Sequence, residues 1–361
     1  MSTSHLNITT AKGILQRTIG GSGWALCIGA GTSIPVFSNW ETLVGQLVNS
    51  LAPHADSAKL TRSLLSEFSP DSVIQAARNV AGGNDESFVQ VLANSLYENL
   101  RSSLTPIEWR DVSRILARPG KRGVPARSWK LFLECFQKKL PATTAIQIAN
   151  VLTPILGTPL QPAAILSFNA EAMLFALLNA LTWARDTDFG RKEPKEGENR
   201  ELLDPVTRSI SDRNPTKVAY IFCHGLLPVP DQPPIAPFIS TDKLVFSEAS
   251  YLHLASTSFS WQSSAFLDVC SSKTVIFVGV SLADPNMRRW LSWIHENRSM
   301  EIKSTASVTK VQGQHLWIRK RPKDDDLASW LEASVELLGV RIVWIEDWSQ
   351  VESAIRAMLN P

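Results

Sequence analysis

Trp24-Ala25-Leu26-Cys27-Ile28-Gly29-Ala30-Gly31-Thr32-Ser33 is the stretch that decides the fold. Five apolar residues ending in small ones read as a buried strand that hands over to a tight turn. Glycines at such a point let the backbone pass close to a pyrophosphate, and hydroxyl and amide donors beyond the turn can hold its oxygens. Gly29, Ala30, Gly31, Thr32 and Ser33 are therefore the first candidate binding residues. The stretch is not the GxGxxG fingerprint, because Ile34 takes the third glycine position. By itself it also fits a strand that ends in an ordinary glycine turn.

Three more segments share its form, an apolar run closed by a polar residue. Ala163-Ala164-Ile165-Leu166-Ser167-Phe168 runs into Asn169, and Val218-Ala219-Tyr220-Ile221-Phe222-Cys223 runs into His224-Gly225. Thr274-Val275-Ile276-Phe277-Val278 runs into Gly279-Val280-Ser281-Leu282. In an open parallel sheet the ligand lies outside the carboxyl ends of the strands, so these four ends would line one crevice. The ordered set resembles the sirtuin family, whose pattern is GAGxS, a Gln-Asn-Ile-Asp turn, a His-Gly and a Gly-Thr/Ser-Ser/Leu. The likeness is greatest to the divergent bacterial sirtuin-like domains of antiphage defence. It extends to Pro35, Trp40-Glu41-Thr42-Leu43, Val245-Phe246-Ser247-Glu248 with Tyr251, and Gly279 through Asn286.

That resemblance implies an α/β fold: a Rossmann-like parallel sheet with flanking helices and an inserted α-helical subdomain. Residues 1–50 and 161–361 would form the NAD-binding domain and 51–160 the insertion. It implies that His224 takes a proton from a ribose hydroxyl of NAD, a task for which an imidazole of unperturbed pKa about 6.5 is suited. Asn169 would hold the nicotinamide ribose or the attacking water. Glu171 stands where sirtuins carry an Asp that grips the nicotinamide carboxamide, and Gly279 and Ser281 would contact the dinucleotide. Each has a plainer reading. Asn169 is a good N-cap for a helix over 170–184, with Glu171 favourable in its first turn. Asp284-Pro285 reads as an N-cap followed by proline at the first helical position, and is taken as structural.

The activity implied is an NAD glycohydrolase that releases nicotinamide and ADP-ribose and empties the NAD pool when infection is sensed. Such an activity needs restraint, by homo-oligomerisation or by a separate regulatory protein such as an ATPase or a nucleic-acid-sensing subunit. The alternatives are an NAD-dependent deacylase or ADP-ribosyltransferase using the same site, and a non-catalytic sensor of NAD or ADP-ribose.

Composition sets bounds. A chain of 361 residues, 44% hydrophobic and 19% charged, has an ample core and excludes global disorder. A net charge of +2 gives no electrostatic reason to bind nucleic acid or an anionic membrane. Cys27, Cys135, Cys223 and Cys270 are widely spaced with no CxxC, so neither the zinc ribbon of most sirtuin deacylases nor a disulfide framework is expected. No metal is expected, and the location expected is cytoplasmic. Residues 1–20 lack the apolar core of a signal peptide. The apolar stretch 163–184 contains Asn169, Glu171 and Asn179, which argues for strand-turn-helix over a membrane span.

Six helices are expected over 58–67, 71–80, 85–100, 106–117, 128–138 and 144–152. Residues 186–216 are charged and punctuated by Gly and Pro, so a long mobile loop or lid is expected there. Residues 226–240 are Pro-rich and read as extended. Beyond Ser281, helices are expected at 286–296, 327–338 and 349–359, with strands at 315–318 and 340–345.

Overall fold

The computed structural model describes residues 8–19, 21–53, 56–82, 85–120, 123–190, 201–208, 214, 216–233, 244–256, 260–305 and 311–359. Seven strands form one sheet: β1 (Trp24–Ile28), β2 (Ala164–Ser167), β3 (Leu203–Val206), β4 (Val218–Phe222), β5 (Thr274–Val278), β6 (His315–Lys320) and β7 (Val340–Ile345). Their order is β3-β4-β2-β1-β5-β6-β7, and every pairing is parallel. This is a Rossmann-like α/β fold. The chain leaves β1 for β2 on one side and later returns to β5 on the other, so the strand order reverses beside β1. Such a switch point is where open α/β sheets bind ligands.

Helices cover both faces. Those preceding β2 are α1 (Ile8–Ile19), α2 (Trp40–Leu51), α3 (Ser57–Glu67), α4 (Pro70–Val80), α5 (Asp85–Ser102), α6 (Pro106–Ala117), α7 (Ala126–Glu134) and α8 (Thr144–Ile155). Those following it are α9 (Met173–Thr187), α10 (Glu248–Ser256), α11 (Trp261–Ser272), α12 (Pro285–Thr305), α13 (Asp325–Glu336) and α14 (Val351–Leu359). Parallel strands buried on both faces need continuous apolar runs, which is why β1, β2, β4 and β5 were legible. Within β1, Trp24, Leu26 and Ile28 enter one core while Ala25 and Cys27 enter the other, following the two-residue period of a strand.

The six helices expected between 58 and 152 are all present, and among the described residues no strand interrupts them. Thr105 starts α6 with a full capping box, its hydroxyl and the Glu108 carboxylate serving each other's backbone N–H. These helices do not keep a core of their own. Val73, Leu92, Tyr97, Trp129 and Ile148 belong to the same apolar cluster as Leu26, Ile165 and Tyr220 of the sheet.

Three expectations need correction. The long loop over 186–216 contains β3, an edge strand whose Pro205 is tolerated because only one of its sides is paired. Positions 191–200, 209–213 and 215 of that stretch lie outside the described residues, as do 234–240 of the Pro-rich segment. Helices α1, α10 and α11 were not anticipated. The helix after β2 begins at Met173 rather than at 170, and its N-cap position is Ala172. Asn169 is therefore not its cap. No described helix is long and apolar enough to cross a membrane.

Candidate functional site

The turn after β1 and the turn after β5 are locked together. Gly29 N donates to Val278 O at 3.2 Å and Gly31 N to Gly279 O at 3.0 Å. A Cβ on Gly31 would stand 2.9 Å from Gly279 O. One on Gly279, where φ is +66°, would stand 2.5 Å from Thr32 N. Sequence reasoning attributed these glycines to the approach of a pyrophosphate; the structure shows that they also let two backbones meet.

Behind this turn lies a polar cluster in an otherwise apolar interior. Ser33 Oγ donates to Glu171 Oε1 at 2.6 Å. Asn169 Nδ2 faces Glu171 Oε1 at 2.9 Å, Ser33 Oγ at 3.0 Å and Thr32 Oγ1 at 3.2 Å. Thr32 Oγ1 in turn donates to Gly29 O at 2.8 Å. Met173 N donates to Glu171 Oε2, so Glu171, not Asn169, serves the first turn of α9. Burial raises the Glu171 pKa above the usual carboxylate value, opposed by its donors Ser33, Met173 and Asn169.

Asn169 is 4% exposed, and its Oδ1 has no hydrogen-bond partner among the described residues. An unpaired buried carbonyl costs about 1–3 kcal/mol, and Asn169 lines the cavity, where a ligand donor could meet this one. Glu171 fixes which way the amide points. Turning Oδ1 toward Glu171 Oε1 would set two acceptors against each other.

His224 follows β4 and is 6% exposed. The rings of Phe168, Tyr251 and Phe246 surround it, with centroids 4.9, 5.6 and 6.4 Å away. Burial depresses its pKa to about 4, against a smaller opposing effect from a hydrogen bond to the Phe168 backbone. Burial thus holds His224 below the unperturbed imidazole value and keeps the ring neutral at neutral pH.

These residues share one cavity of about 660 Å³ along the carboxyl ends of the strands. Gly29, Ala30, Gly31, Ser33, Asn169, Glu171, His224, Gly279 and Ser281 all line it. Thr32 does not. It is fully buried behind the turn and supports Asn169. Asp284 also lines the cavity, and its Oδ1 accepts from Met287 N at 2.9 Å, the helix-start role expected of it. Phe37, Trp40, Leu43, Leu96 and Phe246 form an apolar wall at the His224 side. The volume lies within the range of small-ligand clefts, and the open Asn169 acceptor and the paired glycine turns fit a dinucleotide.

Sequence reasoning missed the far end of this cavity. Trp317, Arg319, Lys320 and Arg321 of β6 and its exit line it, together with Trp348. Their signal was present in His315-Leu-Trp-Ile-Arg-Lys-Arg321, an apolar run ending in three cations. Among the described residues no group of three or more His, Cys, Asp or Glu could hold a metal ion. All four cysteines are free and buried, and burial pushes the Cys27 and Cys223 thiols up, away from reactivity.

Residues 194–338 match the SIR2-like domain family, a span that includes His224, Gly279, Ser281 and the β6 cations. Over that stretch the chain is similar to SIR2-like domains. That likeness supports an NAD-related function. No curated protein matches the sequence.

Proposed function

We propose that the protein is an NAD glycohydrolase, cleaving NAD to nicotinamide and ADP-ribose, with Asn169 and His224 as its catalytic residues. The observation that carries this reading is the open Oδ1 of Asn169, placed on the same wall as His224 and the Gly29–Ser33 turn. Breaking a nicotinamide–ribose bond generates positive charge on the sugar and needs an ordered nucleophile. Asn169 supplies an uncharged acceptor that can hold a ribose hydroxyl or a water without titrating. Ser33, Thr32 and Glu171 keep that amide from rotating, which makes Glu171 a positioning residue. His224, neutral in its ring of aromatics, accepts a hydrogen bond from a ribose hydroxyl. The backbone of Gly29–Ser33 and the Gly279–Ser281 turn form the cradle for the diphosphate. No step in this scheme calls on a metal ion.

The test is chromatography of purified protein with NAD and no acylated peptide. Nicotinamide and ADP-ribose in equal amounts are expected, at a rate unchanged by chelators. Cleavage that depends on an acyl-lysine peptide and yields acylated ADP-ribose would replace this reading with a deacylase.

The same reading makes the protein a cytoplasmic, NAD-depleting effector of bacterial antiphage defence, with residues 51–160 as a helical insertion in an otherwise sirtuin-like domain. Restraint would come from self-assembly or a separate sensor protein. Size-exclusion chromatography should then show a species larger than the 39.9 kDa monomer, and the neighbouring genes should form a defence cassette. Fully active monomer would remove the assembly argument.

A further inference from the structure

The cavity extends well beyond the reacting end. From His224 at β4 to Arg319 at β6 it crosses β2, β1 and β5, which is four strand intervals. At the usual spacing this is roughly 19 Å, comparable to an extended dinucleotide. If the bond to be broken lies by Asn169 and His224 and the diphosphate at the central turns, the adenosine half reaches β6. This placement rests on the NAD reading above.

The β6 end is unusual in its charges. Lys320 Nζ pairs with Asp347 at 3.3 Å, and Arg321 Nη2 with Asp325 at 2.7 Å. Arg319 has no ion-pair or hydrogen-bond partner among the described residues. Its guanidinium instead lies over the Trp317 ring, 4.6 Å from the centroid. Trp317 is 3% exposed and anchored by its Nε1 to Val280 O at 2.9 Å, so the platform under Arg319 is fixed. Partial burial also lowers the Arg319 pKa by desolvation.

Among the described residues, no carboxylate of β6 or its exit lines this end of the cavity. Asp284, which lines the cavity at the turn after β5, is engaged at the start of α12 through Met287 N at 2.9 Å. Dinucleotide sites that prefer a free ribose 2′-hydroxyl present a carboxylate to it, whereas those that accept a 2′-phosphate present an arginine. Guanidinium is the better group for that phosphate because its planar donors can pair with two oxygens at once.

We infer that Arg319, held on Trp317, is a specificity-determining residue for a phosphate on the adenosine ribose, so that this site prefers the 2′-phosphorylated dinucleotide to NAD. The reaction end is unaffected by the choice, since the extra phosphate lies four strands away.

Calorimetry with ADP-ribose and 2′-phospho-ADP-ribose tests this without requiring turnover. The full-length protein should bind the phosphorylated ligand ~10–100-fold more tightly, the range of a charge-assisted hydrogen-bonded pair. Arg319→Gln should bring the two affinities together, and Arg319→Lys should restore only part of the difference. Equal affinities in the wild type, or a loss in Arg319→Gln that is the same for both ligands, would overturn the assignment. A preference for the phosphate without cleavage of either dinucleotide would sustain the inference and remove the hydrolase reading. Failure to bind either ligand would remove both.

Discussion

The two ends of the cavity are built on opposite principles. After β1 and β2 the polar groups are buried, few and mutually hydrogen-bonded: Asn169, Glu171, Ser33 and Thr32 form a closed cluster with a single open acceptor. At β6 the groups are cationic and partly exposed, and two of the three are paired to surface carboxylates. A buried amide cluster fixes direction, because each member restricts the others and a wrong orientation leaves an unpaired group in a low-dielectric interior. Solvated cations such as Lys320 and Arg321 give attraction with little directional control. The first arrangement suits bond breaking and the second suits holding a charged ligand.

The largest effect should come from the buried end. Asn169→Ala and His224→Ala should each lower NAD cleavage by ~10²–10⁴-fold, or roughly 3–5 kcal/mol of barrier, while ADP-ribose still binds. Asn169→Asp sharpens this. It would set a second carboxylate against Glu171 Oε1, now 2.9 Å from the amide nitrogen, and one of the two would have to take up a proton. Because α9 starts at Met173, helix capping gives Asp at 169 no compensating benefit. Near wild-type turnover in Asn169→Asp would show that the orientation of Oδ1 does not matter to the reaction.

How far the sequence shows this contrast depends on how locally each end is encoded. Asn169 and His224 stand out because each closes an apolar run that a buried parallel strand requires. The interlock of Gly31 with Gly279 was invisible, since it joins two turns about 250 residues apart, and sequence order says nothing of their backbone contact. Glu171 was read by its place in a motif, and only the fold reveals that three protein donors already hold it. The β6 cations were overlooked because three adjacent basic residues usually mark a solvated strand exit. Helix α1 was missed although Ala11, Ile14 and Leu15 carry its buried face at helical spacing, its Thr-rich composition arguing the other way.

A second contrast lies between two buried histidines and is tested by pH. Burial holds His224 at about 4 and His315 at about 3. His315 opens β6, at the amino end of the strand and away from the cavity's carboxyl-end rim, and accepts from Val275 N at 3.2 Å, so its role is structural. For both, the unfolded chain takes up a proton near pH 6.5 that the folded chain refuses. Stability is therefore present above about 6.5 and lost as pH falls toward 4, on the order of 3 kcal/mol per imidazole. Thermal melts from pH 8 to 4 should show that decline, and a His224 variant should show a shallower one. Only His224 should affect the reaction, with the acid limb of activity near pH 4. A limb centred at 6.5 would mean that His224 is not the group being read.

Gly31→Val tests whether the central turns serve the fold or the ligand. Its Cβ would meet the Gly279 backbone, which cannot move aside as a flexible side chain could. Overpacking of this kind costs about 1–3 kcal/mol. A lowered melting temperature without any ligand is expected. Unchanged stability with lost ADP-ribose binding would return the glycine to the pyrophosphate alone.

Lys320→Ala should have the smallest effect. The Lys320–Asp347 pair is about half exposed on both sides, at 49% and 58%, and joins the exit of β6 to the turn after β7. Exposed pairs of this kind contribute about 0–1 kcal/mol, because water screens the attraction and two long side chains lose freedom. Melting should shift little. Ligand affinity should fall modestly and more so at low salt, since Lys320 adds a screened charge to the far end rather than an oriented donor. Arg319 differs on both counts, being seated on a buried ring and unpaired. If Lys320→Ala weakened the phosphorylated ligand as strongly as Arg319→Gln does, the far end would be a diffuse cationic surface. The contrast with the buried end would then be one of net charge alone, with no guanidinium singled out for reading a phosphate.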